Sequence, residues 1–277
     1  MKRIALLLVS LAGLSTLLQA QAPDCPGLVD QVMQLSGATD LINSLPQVQT
    51  QMESVITNSE LTAVERQRLR NILRGSFLPA KITSGVRERF VSSCDPENLQ
   101  AVAKMMSTPL AVKMKKLEAY SLTPQGMREM GIFTNSLYKT PADPDRVALM
   151  DRLDDATGSS AFTVELVLAT IRGMFTGAGH QLDAATEALV RKQAEAGVEK
   201  TSWICDLATY RKAEDDEVDA YAALYRNPAV AKFNDEFKAA FLAVVEKQSG
   251  VAGTEVKRTA APSSSSRPAP SNAHLLH

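Results

Sequence analysis

Five prolines each stand directly after a residue whose side chain can cap a helix: Asp95-Pro96, Thr108-Pro109, Thr123-Pro124, Asp143-Pro144 and Asn227-Pro228. A capping oxygen accepts a hydrogen bond from an orphan N–H of the first turn. Proline at the next position gives up a donor that would have no intrahelical partner, and its fixed φ already suits a helix. Each pair therefore starts a helix and ends whatever helix precedes it. A chain punctuated in this way folds into a series of bounded helices that bend at set points. Thr140-Pro141 has the same form but lies so close to Asp143-Pro144 that it reads as linker. Thr62-Ala63-Val64-Glu65 adds a capping box.

Between these signals the apolar residues recur at helical spacing. Val29, Val32 and Leu35 form one stripe, Leu69, Ile72 and Leu73 a second, and Val230, Phe233, Phe237 and Phe241 a third that continues to Val244 and Val245. No sustained alternation is bounded by an Asn-Gly or Asp-Gly turn. The expected fold is all-α with no sheet, in about eleven helices. They fall near 26–37, 45–58, 63–74, 79–93, 96–107, 109–121, 124–138, 144–156, 161–176, 184–211 and 214–248. The last two should break at Gly197 and at Asn227-Pro228.

Composition excludes several classes. With 45% hydrophobic residues, the chain is too apolar to be wholly disordered. A net charge of −1 argues against a nucleic-acid binder that works by bulk electrostatics. Three cysteines and three histidines cannot build a zinc ribbon or a disulfide knot.

The N-terminus reads as an export signal, residues 1–20. Lys2 and Arg3 precede an apolar run from Ile4 to Leu18, which is short for a membrane span. Cleavage after Ala20 exposes Gln21, with no cysteine beside the cut to carry a lipid anchor. Loss of Lys2 and Arg3 takes the net charge from −1 to −3. Nothing downstream reads as a transmembrane segment, so the mature chain is expected to be periplasmic or secreted. In an oxidising compartment the cysteines form one disulfide and leave one thiol. Cys25 with Cys94 is the first expectation, and Cys94 with Cys205 is the alternative. Residues 250–277 contain four consecutive serines and three prolines, and should be a disordered tail.

The chain also resembles itself at a spacing of about 119 residues. ENLQAVAKMMSTPLAVKM from Glu97 aligns with DEVDAYAALYRNPAVAKF from Asp216. Ala101, Ala103, Pro109 and Lys113 match Ala220, Ala222, Pro228 and Lys232. Upstream, Val29, Val32, Leu35, Ala38 and Thr39 face Val147, Met150, Leu153, Ala156 and Thr157. The expected organisation is two tandem helical repeats, 25–141 and 142–249. In each, a capped proline (Thr108-Pro109, Asn227-Pro228) makes a helical elbow, with Lys113 or Lys232 one turn into the new helix and solvated.

The two elbows, Met105 to Lys113 and Leu224 to Lys232, resemble a motif of an uncharacterised family of exported bacterial all-helical proteins. That motif reads Phe-Tyr, one residue, Ser/Thr, Pro, one residue, Gly, then Lys nearby. Here Ala111 and Val230 stand at the glycine, so both copies are degenerate. The resemblance implies an all-helical fold and export, and no particular activity.

No catalytic constellation emerges. Met105, Met106, Met114, Met127 and Met130 cluster, and read as core filler before an apolar groove or a copper site. Glu214 to Glu217 suits a helix N-terminus. Asp151, Asp154 and Asp155 lack the glycine and closing glutamate of a calcium loop. Phe175 to His180 contains two glycines and reads as a turn, since no Lys-Ser/Thr follows. His180 is the one histidine outside the tail, too isolated to serve as a base for a cysteine. Ser159 and Ser160 lack a nucleophile elbow, and Trp203 and Tyr210 read as core. The expected function is a non-enzymatic binding or envelope-associated module with no cofactor or metal. Its partner would be an envelope protein or an apolar ligand, not nucleic acid. The alternative is an exported hydrolase whose carboxylates meet only on folding.

Overall fold

The computed structural model describes residues 24–46 and 62–260. The expected export signal, the serine-rich end of the tail and nearly all of the helix expected at 45–58 lie outside those residues. Among the described residues the structure is all-α, with no strand. In chain order the helices are α1 (Cys25–Leu35), α2 (38–46), α3 (Ala63–Ser76), α4 (Pro79–Ser92), α5 (Pro96–Met106), α6 (Pro109–Ser121), α7 (Pro124–Leu137), α8 (Pro144–Thr157), α9 (Ser159–Gly177), α10 (Ala184–Tyr210), α11 (Asp215–Tyr225) and α12 (Pro228–Ala260).

The capped prolines do what their chemistry dictates. Asp95, Thr108, Thr123 and Asp143 accept from backbone N–H groups of the helices they open, and the Asn227 side-chain oxygen accepts from the Ala229 N–H. The acidic run opens α11, where the Glu214 N–H donates to Glu217 Oε2 at 2.9 Å.

Packing partners recur between the two halves. α1 packs on α4 and α5, as α8 packs on α10 and α11. α4 and α5 pack on α12, as α10 and α11 pack on α6. The helix after each elbow thus reaches helices of the opposite half, and α12 also packs along α9 of its own. The elbow lysines tie the exchange. Lys113 on α6 pairs with Glu217 at the start of α11, and Lys232 on α12 pairs with Asp95 at the start of α5, at 2.6 Å. Each lysine is half-exposed, but neither is merely solvated. One continuous core results, with residues of both halves in it.

Three features differ from the sequence reading. Residues 38–46 form a helix, because Gly37 takes a positive φ of 78° and turns the chain immediately after α1. α10 runs through Gly197 unbroken. Its neighbours there are good helix formers, and one uncapped glycine costs only about 1 kcal/mol. α12 continues past Gly250 to Ala260. Its last turns lie against α9, where Cβ atoms added at Gly173, Gly177 or Gly253 would overlap the backbone carbonyls of Glu246, Gly250 and Met174 respectively. Thr254 Oγ1 donates across this crossing to the Gly177 carbonyl at 3.0 Å.

Cys25 and Cys94 form a disulfide that joins the start of α1 to the loop after α4, and Cys205 is a free, exposed thiol. No described helix is long and apolar enough to cross a membrane.

The two kinds of helical glycine should respond oppositely to alanine. Gly177→Ala should destabilise the protein by about 1–3 kcal/mol, because the methyl has no space. Gly197→Ala, with nothing near its added Cβ, should stabilise it by up to about 1 kcal/mol. Urea unfolding of both variants checks the pair.

Candidate functional site

A cavity of about 290 Å³ opens where α6, α10, α11 and α12 converge with the turn between α1 and α2. Ionisable and aromatic side chains line it, among them Lys115, Glu118, Asp206, Tyr210, Tyr225 and Lys238.

The centre of its polar wall is Glu118. One oxygen, Oε1, accepts from the Tyr210 hydroxyl at 2.8 Å and the Tyr221 hydroxyl at 2.7 Å. The other, Oε2, accepts from Lys115 Nζ at 2.7 Å. Lys115 also donates to the Tyr225 hydroxyl at 2.7 Å and lies over the Tyr221 and Tyr225 rings, 5.8 and 5.4 Å from their centroids. Tyr221 is fully buried and Tyr210 and Tyr225 nearly so.

The helices explain this convergence. Lys115 and Glu118 are one turn apart on α6. Tyr221 and Tyr225 are one turn apart on α11. Tyr210 ends α10, where Arg146 of α8 donates to the Tyr210 and Ala213 carbonyls at 2.8 and 2.9 Å and caps the helix.

The electrostatics follow from burial and from Glu118. Burial alone would lower Lys115, but the Glu118 carboxylate and the Tyr225 hydroxyl outweigh it and raise the ammonium above its ordinary value. Burial, and then Glu118, push the Tyr210 and Tyr221 hydroxyls well above the usual phenol range. All three groups therefore keep their protons. Asp206 differs. Burial, then the neighbouring Asp154, Glu118 and Asp151, push its carboxyl up to about 7. Among the described residues it has neither a hydrogen bond nor an ion pair.

The opposite half shows what this region could have been. At the 119-residue spacing, Tyr221 and Tyr225 correspond to Val102 and Met106, and Lys115 and Glu118 to Asn234 and Phe237. On α4 the buried stripe is Ile82, Val86 and Phe90, whose counterparts on α10, one residue further along, are Ser202, Asp206 and Tyr210. Around Val102 the core is apolar, with Phe90 tilted against Phe233 at 5.3 Å and Phe233 stacked on Phe237 at 6.4 Å. The same packing scheme thus holds an apolar core in one half and an ionisable cluster in the other.

The residues singled out by sequence fall largely elsewhere. The elbow residues Thr108, Pro109, Asn227 and Pro228 shape the helices that flank the cavity. Met106 lines the cavity and Met114 is fully buried, while Met105 packs at the core margin. Trp203 packs against the core from its edge. His180 is exposed in the turn after α9. Lys115, Glu118, Asp206 and Tyr221 were not anticipated, although Tyr210 was expected to be core. No group of three or more described His, Cys, Asp or Glu side chains could hold a metal ion. Comparison with known proteins finds no match to any family model, curated protein or solved structure.

Two predictions test these electrostatics. The folded carboxyl of Asp206 holds its proton up to about 7, against an ordinary value of 3.8, so folding takes up a proton between those pH values. Stability from this group is full below the lower value and is lost as pH rises through the upper one. Asp206→Asn should therefore unfold later than the wild type at pH 8, by up to about 4 kcal/mol, with the gain fading below pH ~4. Urea midpoints across pH check it, and a variant weaker at pH 8 would contradict it. Glu118→Leu should cost about 3–5 kcal/mol, because it strands Lys115 and two hydroxyls. Adding Lys115→Met, Tyr210→Phe and Tyr221→Phe should recover most of that loss, in the same urea assay.

Proposed function

We propose that this is an exported, non-enzymatic helical protein that binds a small molecule in the cavity between its two halves, as an envelope-associated or secreted module. The carrying observation is the substitution of an apolar core by an ionisable one around that cavity. A buried ion pair with its hydrogen bonds is seldom more stable than well-packed apolar side chains. A fold that holds the apolar version in its other half had no need of Glu118, Lys115 and three tyrosine hydroxyls for packing alone. Small-molecule sites combine a mostly apolar concave surface with a few converging polar groups, and this cavity has that make-up.

Export is supported by the basic and apolar N-terminal run and by the resemblance of both elbows to an exported helical family. The Cys25–Cys94 bridge fits a compartment where disulfides persist. Tandem duplication is supported by the reciprocal packing and by the crossed pairing of Lys113 and Lys232. Two 11-residue helices, α5 and α11, precede the two elbows.

Binding is preferred to carboxylate hydrolysis because Glu118, the natural second acid beside Asp206, is already taken by Lys115, Tyr210 and Tyr221. A nucleophile or base needs a free lone pair directed at substrate.

The test is native mass spectrometry of protein purified from the envelope and secreted fractions. A bound small molecule should accompany the wild type and be lost from Ala119→Trp, which fills the cavity from α6. Bare wild-type protein in every preparation would remove the binding reading, and confinement to the cytoplasm would remove export.

A further inference from the structure

The cavity's charged groups are unequal in their commitments. Lys115 is held by Glu118 and Tyr225. Lys238, half-buried, donates to the Thr157 and Gly158 carbonyls at the end of α8. Glu118 accepts three hydrogen bonds. Asp206 lines the same cavity with no partner among the described residues, as does Asp40 of α2, but it is Asp206 on which the nearby Asp151, Asp154 and Glu118 concentrate further negative potential. A cation entering beside Asp206 would relieve both the missing partner and the mutual repulsion of the acids.

The walls decide what kind of cation. A metal ion would want several hard donors, and no described trio of acids, histidines or cysteines supplies them. The cavity instead offers aromatic surface from Phe162, Phe233, Phe237 and Tyr225. Ring faces attract ammonium groups, most strongly where water is excluded. The protein already uses this chemistry beside the cavity, with Lys115 over two tyrosine rings and salt-bridged to Glu118. A volume of about 290 Å³ limits the guest to a small molecule.

We infer that the cavity binds a small organic ammonium ion, with Asp206 as its counter-ion and the aromatic side chains as its walls. This rests on the reading that the cavity is a ligand site. It adds the chemical class of the ligand, and assigns to Asp206 a role that packing does not require of it.

Calorimetry with choline and its neutral carbon isostere, dimethylbutanol, separates the two ideas. The two probes share shape and differ in charge. The wild-type protein should bind choline at least about tenfold more tightly than the isostere. Asp206→Asn should weaken choline by about tenfold or more and leave the isostere unchanged. It should remain folded, which circular dichroism checks. Phe162→Leu should weaken choline by about threefold while leaving Asp206 in place. Equal binding of the two probes would overturn the ammonium assignment and keep the cavity as a site for neutral ligands. Binding of neither probe would also overturn it. The cavity reading would then stand or fall separately on the bound mass found in native preparations. Choline binding that survives Asp206→Asn undiminished would remove Asp206 as counter-ion.

Discussion

The elbow is the constraint on which the rest depends. At Thr108-Pro109 and again at Asn227-Pro228, one helix ends and the next begins with its first N–H groups already served. The bend brings α6 and α12 onto helices of the opposite halves, while α12 also runs along α9 of its own. From that exchange follow the shared core, the crossed pairs of Lys113 with Glu217 and of Lys232 with Asp95, and the cavity where four helices fail to close completely. The crossed pairs are exposed, so they contribute little to stability by themselves. Their value is positional, since each fixes a helix start against the partner elbow.

The two halves pack alike and are filled differently. Where α4, α5 and α12 meet, Phe90, Val102, Met106, Phe233 and Phe237 form an entirely apolar cluster. Where α10, α11 and α6 meet, the same scheme encloses a carboxylate, an ammonium and three hydroxyls. Every strong acceptor and donor in that cluster is satisfied, so burial does not leave a stranded charge. Asp206 is the exception. Its partial burial without a partner is unfavourable for the ionised form, and that cost is offset by the well-packed helices around it rather than by any contact of its own.

Much of the fold was legible because its signals are local. Caps, prolines and stripes of apolar residues act within one turn, and they located most helix starts. The failures were those where tertiary contact decides. Gly253 looks like part of a tail, yet with Gly173 and Gly177 it lets α12 lie against α9. Gly197 looks like a break, yet nothing near it competes with the helix. The cavity was less legible. Lys115 and Glu118 look like an ordinary exposed pair on α6, and Asp206 like a polar residue on a helix flank. Only their convergence with Tyr210, Tyr221 and Tyr225 makes them a cluster, and that is set by helix crossing. One signal was available. Aligning the halves places Glu118 opposite Phe237 and Tyr221 opposite Val102, and a polar residue matched to a core one marks a departure from packing.

That departure distinguishes a structural cluster from a site. Polar residues can be buried to fix register, and the Glu118 network would serve that purpose if it were closed. Asp206 prevents it from being closed. A carboxyl that faces a cavity, lacks a partner and stands among other acids adds nothing to register, and Val86 occupies the matching position in the first half. A valine there would pack α10 against its neighbours as Val86 packs α4. The chain instead keeps an acid in the cavity wall, within reach of a guest of opposite charge, and on the proposed binding reading the asymmetry between the halves puts the site on α10 and α6 rather than at the elbows.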